Sequence, residues 1–403
     1  MIMAQVQRVQ NQVPTKPGCV GIHMALASYY SKMKDLAKAE EYLENALKLD
    51  PENNEILWLQ AKVKRDKHLE QQTQKCKEQF SPANQGKLKM KDPLKVEHYD
   101  QSNLSAKEFL FKYALTATPV VISGLLEHMS REPWSRQYIK KVIGHKHVPT
   151  RKRPSESPKL CSSLTVESFI DSLHVGKKTT CHSEWSLPDF APELAKELII
   201  PRYVANDFLQ RTEMDTEQRN TWPSLCIQAA GATNRMHVES FGLNSWVALF
   251  EGRKRLTFVR KEDLPCLYPY CDEDLNIAFN ADISRPDLKD FPLLSTITPL
   301  ECVLEPGEIL FIPHGTPYYV ETLDDSLSIT GKYVDLSNFH SAVEELKVIA
   351  ISDSKALRLY EQFSSETFPT KMWSAQKDLK WEEFKTWPRE NYADFDISLN
   401  DCS

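Results

Sequence analysis

Three stretches of this 403-residue chain carry side chains whose types and spacing could do chemistry together. His237-Val-Glu239 sets an imidazole and a carboxylate two residues apart. On a β-strand that separation puts both on one face, pointing into the same cavity. Gly252-Arg-Lys-Arg255 follows, and then Glu305-Pro-Gly-Glu-Ile-Leu-Phe-Ile-Pro313, a turn and strand suited to deliver one more ligand to that cavity. A His-x-carboxylate pair alone is a common motif. Its weight comes from the two stretches that follow it; in the general design of such centres, two histidines and one carboxylate hold iron(II) on one triangular face and leave three positions for a bidentate co-substrate and oxygen. The plainer reading of the same residues is an interior histidine with its hydrogen bonds satisfied and a solvated turn lysine.

Such side chains need a rigid frame, and the surrounding sequence supplies one. Short β-prone runs recur at 225–229, 246–250, 255–259, 301–304, 309–312, 319–321 and 327–330. Gly231, Gly252, Pro306-Gly307 and Gly315-Thr-Pro317 fall between them in a chain with only 12 glycines. Short strands with such turns argue a jelly roll or barrel. Upstream, the spacing predicts a helix over 105–115 with Ser105 at its N-cap, a β-branched edge strand over 119–124, a helix over 164–173, a short element at 184–187 and helical connection over 194–209. Downstream, Val343, Leu346, Ile349 and Ala350, then Leu357, Tyr360 and Phe363, keep helical spacing before an aromatic, acidic tail.

The N-terminal region has a different texture. Leu26, Ala27 and Tyr30 precede a polar turn, and Ala39, Leu43, Ala46 and Leu47 follow it, which predicts a helical hairpin ended by Asp50-Pro51. Small Ala27 and Ala39 let the two helices approach closely. This segment resembles a tetratricopeptide repeat, matching the 34-residue pattern at Leu26, Ala27, Tyr30, Ala39, Leu43, Ala46 and Pro51. A third helix runs from Asn54 towards Gln72 and turns strongly charged, so the repeat array reads as truncated. Lysines, Ser81-Pro82 and Asp92-Pro93 mark a linker over 74–95. The basic cluster in Val148-Pro-Thr-Arg-Lys-Arg-Pro154 suits a nuclear localisation signal or a solvated strand end.

Residues 222–334, with a helical lead-in from about 95, resemble the JmjC domain of the small hydroxylase-type iron(II)/2-oxoglutarate oxygenases. The likeness rests on Pro119-Val-Val-Ile-Ser-Gly124, Gly252-Arg-Lys-Arg255, Cys266-Leu-Tyr-Pro269, Arg285-Pro-Asp-Leu288 and Pro306-Gly-Glu-Ile-Leu-Phe-Ile-Pro313, all in family order. It implies that His237 and Glu239 take the first two metal positions. Lys254 falls where the family binds the distal carboxylate of 2-oxoglutarate, Thr330 lies on the strand that often adds a hydroxyl there, and Asn234 stands where many hydroxylases have a co-substrate-binding threonine.

The third metal position departs from the pattern. Where the family ends its second motif in histidine, this chain reads Ile312-Pro-His-Gly-Thr-Pro-Tyr318, and His314 falls four residues early, in the turn. A phenol, with a pKa of about 10, binds metal well only as phenolate. With Glu239 and a 2-oxoglutarate dianion, that extra negative charge favours iron(III) over iron(II), and Lys332 brings a cation that offsets part of it. One plant-homeodomain-finger branch of the family also carries tyrosine here, so tyrosine does not exclude metal.

Bulk composition narrows the rest. At 41% apolar and 26% charged residues the chain is ordinary for a globular protein, and a net charge of −6 makes no global case for nucleic acid. Nine cysteines form no CxxC pair, which argues against a zinc ribbon or a disulfide framework. No apolar run reaches the roughly 18 residues of a membrane span, and no signal-peptide core is visible, so cytoplasm or nucleus is expected. The expectation is therefore α+β: a double-stranded β-helix (jelly-roll, cupin) JmjC barrel with flanking helices and an N-terminal α-helical hairpin. Its regions are 20–73, the linker 74–95, the barrel 96–337 and a helical end 338–403. Two functions follow: an oxygenase using Fe(II) and 2-oxoglutarate as a protein hydroxylase or demethylase, or a silent barrel that binds protein partners. The helical end resembles helices through which some family members form homodimers, though it could equally cover the barrel.

Overall fold

The computed structural model describes residues 2–11, 13–80, 88–130, 132–150, 159–173, 184–213, 221–370 and 377–390. Residues 151–154 of the basic cluster, part of the linker at 81–87 and the tail beyond 390 lie outside them. Two units are present, one formed by Met1–Met90, Glu262–Ile297 and Glu344–Glu361, the other by Lys91–Lys261, Thr298–Val343 and Gln362–Ser403.

In the first unit, α1 (Ile2–Gln10), α2 (Val20–Lys32), α3 (Leu36–Leu49) and α4 (Asn54–Gln79) follow one another. Leu26, Ala27, Ala39, Leu43 and Ala46 are fully buried in the α2–α3 seam, as the small residues at those positions require. Asp35 caps α3 by accepting from the Lys38 amide, and Asn53 caps α4 by accepting from the amides of Glu55 and Ile56. The third helix is longer than the sequence suggested, so residues 74–79 are helix rather than linker. Glutamine, lysine and glutamate dominate there, all good helix formers, and no proline intervenes before Pro82. Its charged face has a partner as well. Lys62 donates to the carbonyls of Cys271 and Asp272 at 3.1 and 2.7 Å, Asp66 accepts from the Cys271 amide at 2.8 Å, and Thr73 donates to the Pro265 carbonyl at 3.0 Å. These groups belong to the segment carrying the hairpin Pro269–Cys271 with Ile277–Phe279.

The second unit is built on twelve strands in two sheets. In chain order they are β1 (Leu94–Lys95), β2 (Glu97–Asp100), β3 (Val120–Ser123), β4 (Glu184–Ser186), β5 (Ser224–Gln228), β6 (Thr233–His237), β7 (Asn244–Glu251), β8 (Lys254–Phe258), β9 (Leu300–Leu304), β10 (Glu308–Ile312), β11 (Tyr318–Thr322) and β12 (Ser326–Tyr333). The smaller sheet runs β1-β9-β8-β11-β6 and the larger β2-β3-β10-β7-β12-β5-β4. Strand alternation divides the side chains. Leu249, Leu256, Phe258, Leu304, Leu310, Ile312 and Tyr318 form the core between the sheets, while Leu225, Ile227, Trp246, Ile309, Phe311, Leu327 and Ile329 face a second core with the flanking helices.

One segment differs from expectation. The stretch 194–209 is mostly not helical: after one turn at Pro192–Ala195 it pairs Ile199–Ile200 with Leu379–Lys380 and ends in a 3-10 turn at Phe208–Arg211. Pro201 holds its predecessor in extended backbone, which stops a helix there. At the C-terminal end the expected helices form at Phe339–Ile349 and Ser354–Phe363, and Phe339 and Phe363 pack with Phe208 and the half-buried Phe368 at centroid separations of 4.9 to 6.3 Å.

Candidate functional site

The inward face of β12 reads Ser326, Ser328, Thr330, Lys332, alternating with Leu327, Ile329 and Tyr333 on the core face. Its neighbour β5 places Gln228, Cys226 and Ser224 opposite Ser326, Ser328 and Thr330. Across the barrel, β8 directs Lys254 inward with Leu256 and Phe258, and β11 does so with Tyr318 and Thr322. A polar patch in an otherwise apolar barrel results, and it gathers most of the residues singled out from sequence.

His237 ends β6 and lies directly across from Tyr318, their rings 4.3 Å apart and tilted by 49°. Its Nδ1 is 2.8 Å from the Arg235 carbonyl. Glu239 sits just beyond the strand, at the start of the 3-10 turn Ser240–Gly242, and its side chain is buried. Both carboxylate oxygens are engaged: Oε1 accepts from the Tyr318 hydroxyl at 2.5 Å, and Oε2 lies 2.6 Å from the Lys332 ammonium. Lys332 also rests over the Trp222 ring, 4.7 Å from its centroid.

The electrostatics follow from this cluster. Burial pushes the Glu239 carboxyl up, but the Lys332 ammonium, His237 and the two hydrogen bonds outweigh it and hold the group below the usual range. Burial pulls Lys332 down, and Glu239 and Glu184 more than restore it, leaving it raised. Burial and then Glu239 push Tyr318 well above an ordinary phenol, so it stands as a neutral donor.

Lys254 is buried and donates to the side-chain Oε1 of Gln228 at 2.7 Å and the Ser328 hydroxyl at 3.1 Å. Burial lowers its pKa. Both partners are neutral, so no anion among them matches a charge on the ammonium, and an anionic ligand would be the complementary group. The hydroxyl that meets Lys254 is Ser328 rather than Thr330, which instead contacts the Cys226 thiol at 3.5 Å. Ser328 and Gln228 escaped the sequence reading, although the alternation of polar and apolar residues along β12 was the signal for the first. Asn234 is exposed, paired with Val320 at the far end of β6. His314 is elsewhere: its amide donates to Asn244 Oδ1, and its Nε2 is 3.4 Å from Lys261.

A double-stranded β-helix carrying His237, Glu239 and Lys254 on its inner wall is the frame of a JmjC-type protein. Comparison with known families agrees: residues 105–334, more than half of the chain, match the cupin-like domain, and residues 20–53 match a tetratricopeptide repeat. The chain belongs to the cupin-like JmjC family and carries one such repeat. It is 30% identical over 220 residues to "Lysine-specific demethylase 8" of Danio rerio, covering 53% of this chain and 52% of that protein. It is 28% identical over 231 residues to the Xenopus tropicalis protein of the same name, covering 56% and 50%. To "HSPB1-associated protein 1" of Rattus norvegicus it is 34% identical over 255 residues, covering 56% and 51%. The chain thus spans about half the length of these relatives.

Members of this class generally use iron(II) and 2-oxoglutarate, and the two groups fit this chain unequally. Lys254 suits an anionic co-substrate. The metal position does not suit iron: the carboxylate that would bind it is closed on both oxygens, a neutral phenol stands at the third ligand position, and an ammonium occupies the place of the positive charge. Among the described residues no group of three His, Cys, Asp or Glu side chains is arranged to hold a metal ion.

Proposed function

We propose that this chain is a JmjC-barrel protein that binds a protein partner without performing the oxygenation of its family. The observation that carries this reading is Lys332. Its ammonium lies 2.6 Å from Glu239 and supplies from within the chain the positive charge that a divalent ion would otherwise bring. The tetratricopeptide repeat, and relatives named for demethylating proteins or for associating with one, support a protein as the partner. No helix among the described residues is long and apolar enough to cross a membrane.

A second reading keeps the oxygenase. It is favoured by His237, Glu239 and Lys254 retaining their places, and by relatives named as demethylases. It requires Lys332 to leave Glu239 and Tyr318 to ionise against burial. Calorimetric titration with manganese(II) plus N-oxalylglycine separates the two. The wild type is expected to show no saturable metal uptake, and Tyr318→His combined with Lys332→Thr to gain it. Saturable manganese binding by the wild type, abolished by His237→Ala, would return the chain to the oxygenases.

A further inference from the structure

The long face of α4 carries a second constellation, independent of the barrel. Lys62, Asp66, Thr73 and Cys76 recur at spacings of four, seven and three, so they lie along one side of the helix. Each of the first three bonds to the segment 265–272, the last contact being Thr73 to the Pro265 carbonyl at 3.0 Å. One turn further on, the Lys77 ammonium lies 5.2 Å from the centre of the Tyr268 ring. Residues 73 and 77 of the helix thus bracket residues 265 and 268 of the facing segment, and between them Cys76 faces Cys266. The two thiols are within hydrogen-bonding reach of one another, and Thr296 donates to the Cys266 sulfur at 3.6 Å. Both cysteines are reduced here, Cys266 buried and Cys76 half-buried.

We infer that Cys76 and Cys266 form a redox-active pair that hydrogen peroxide converts to a disulfide. Cys76, the more exposed, attacks the peroxide as its thiolate. The O–O bond breaks, one oxygen leaves as water, and Cys76 becomes a sulfenic acid. Cys266 then loses its proton and its sulfur displaces hydroxide from Cys76, which leaves as a second water. Two thiols lose two electrons and the peroxide gains them. Burial pushes the Cys266 thiol up to about 11, so Cys266 acts second and slowly. The product ties the last turns of α4 to the 3-10 turn Lys261–Leu267, closing a long loop of chain.

The test uses the full chain, reduced, then treated with limiting hydrogen peroxide, alkylated, digested and weighed. A peptide pair joined through Cys76 and Cys266, lighter by two hydrogens than its separate halves, is expected. The melting temperature should rise, by about 4 °C or more for a link of this loop length. Dithiothreitol should reverse both changes. Cys76→Ser, at a half-exposed position that leaves the core intact, should abolish them. Cys76 carried on to the sulfinic acid while Cys266 remains open to alkylation after unfolding would overturn the inference, as would Cys76 linked to a second chain.

Discussion

Lys332 and Glu239 would each be costly to bury alone, and the site is stable because neither is alone. The Glu239 side chain is 6% exposed and that of Lys332 21%, so their attraction acts in a medium far less screening than water. Removing the ammonium strands a buried carboxylate. Lys332→Met is therefore expected to lower unfolding free energy by about 3 kcal/mol, the low end for a buried pair because the lysine keeps some solvent. Glu239→Gln should cost a similar amount, and the double variant much less than the sum, with a coupling of about 2 kcal/mol in denaturant titrations. Additive costs would show that the two groups are held by something other than each other. This pairing was legible in the sequence only in part. Motif order marked His237, Glu239 and Tyr318 as neighbours in one cavity, and the fold does bring the three together. That Lys332 turns onto Glu239 depends on which face of β12 is inward, and that is settled by pairing with β7 and β5.

At the level of the element, β12 shows what the period of two does and what single residues add to it. Gly331 lies between the inward-facing Thr330 and Lys332, opposite Trp246 on β7, and the indole approaches it closely. A Cβ there would fall 2.2 Å from the ring of the buried Trp246, in a strand paired on both sides. Gly331→Ala is expected to cost about 1–3 kcal/mol or more, read as a lower denaturation midpoint. Gly21→Ala, in α2 with nothing within 4 Å, is the control and should be neutral or stabilising by up to about 1 kcal/mol. Equal losses at both positions would remove the packing argument. The barrel strands were readable in advance because their alternation and turn glycines are local signals. The far half of α4 was not, because its partner is polar backbone around Cys271 and Pro265, which leaves no apolar stripe in the helix. The extended pairing near Ile200 was hidden for a similar reason, since its partner strand lies about 180 residues away in sequence.

Across the barrel unit, acid stability reflects two buried groups displaced in opposite directions. Sequence gave no sign of either, since burial and not residue type displaces them. Burial, with the Lys261 cation nearby, lowers His314 to about 4, against 6.5 in an open chain. Between those values the unfolded chain holds the extra proton, so stability is lost as pH falls from 6.5 towards 4. At about 1.4 kcal/mol per pH unit this comes to about 3 kcal/mol. Burial raises Asp207 to about 6, against 3.8, despite bonds from Gln210 and the amides of Val334 and Leu209. Here the folded state holds the extra proton, and stability is gained by a similar amount as pH falls from 6 towards 3.8. Asp335, raised by burial, adds to the gain, and Glu239, held low, adds to the loss below about 4.5. The two large effects nearly cancel, so the unfolding free energy of the wild type should change little between pH 6 and 4. His314→Asn removes one side of the balance and keeps the backbone bond to Asn244. That variant should grow more stable relative to its own value at pH 7 as the medium is acidified to pH 4.5. Asp207→Asn should do the reverse, losing stability over the same interval. Denaturant titrations at several pH values measure both slopes, and parallel curves for the three proteins would show that neither group is displaced by burial.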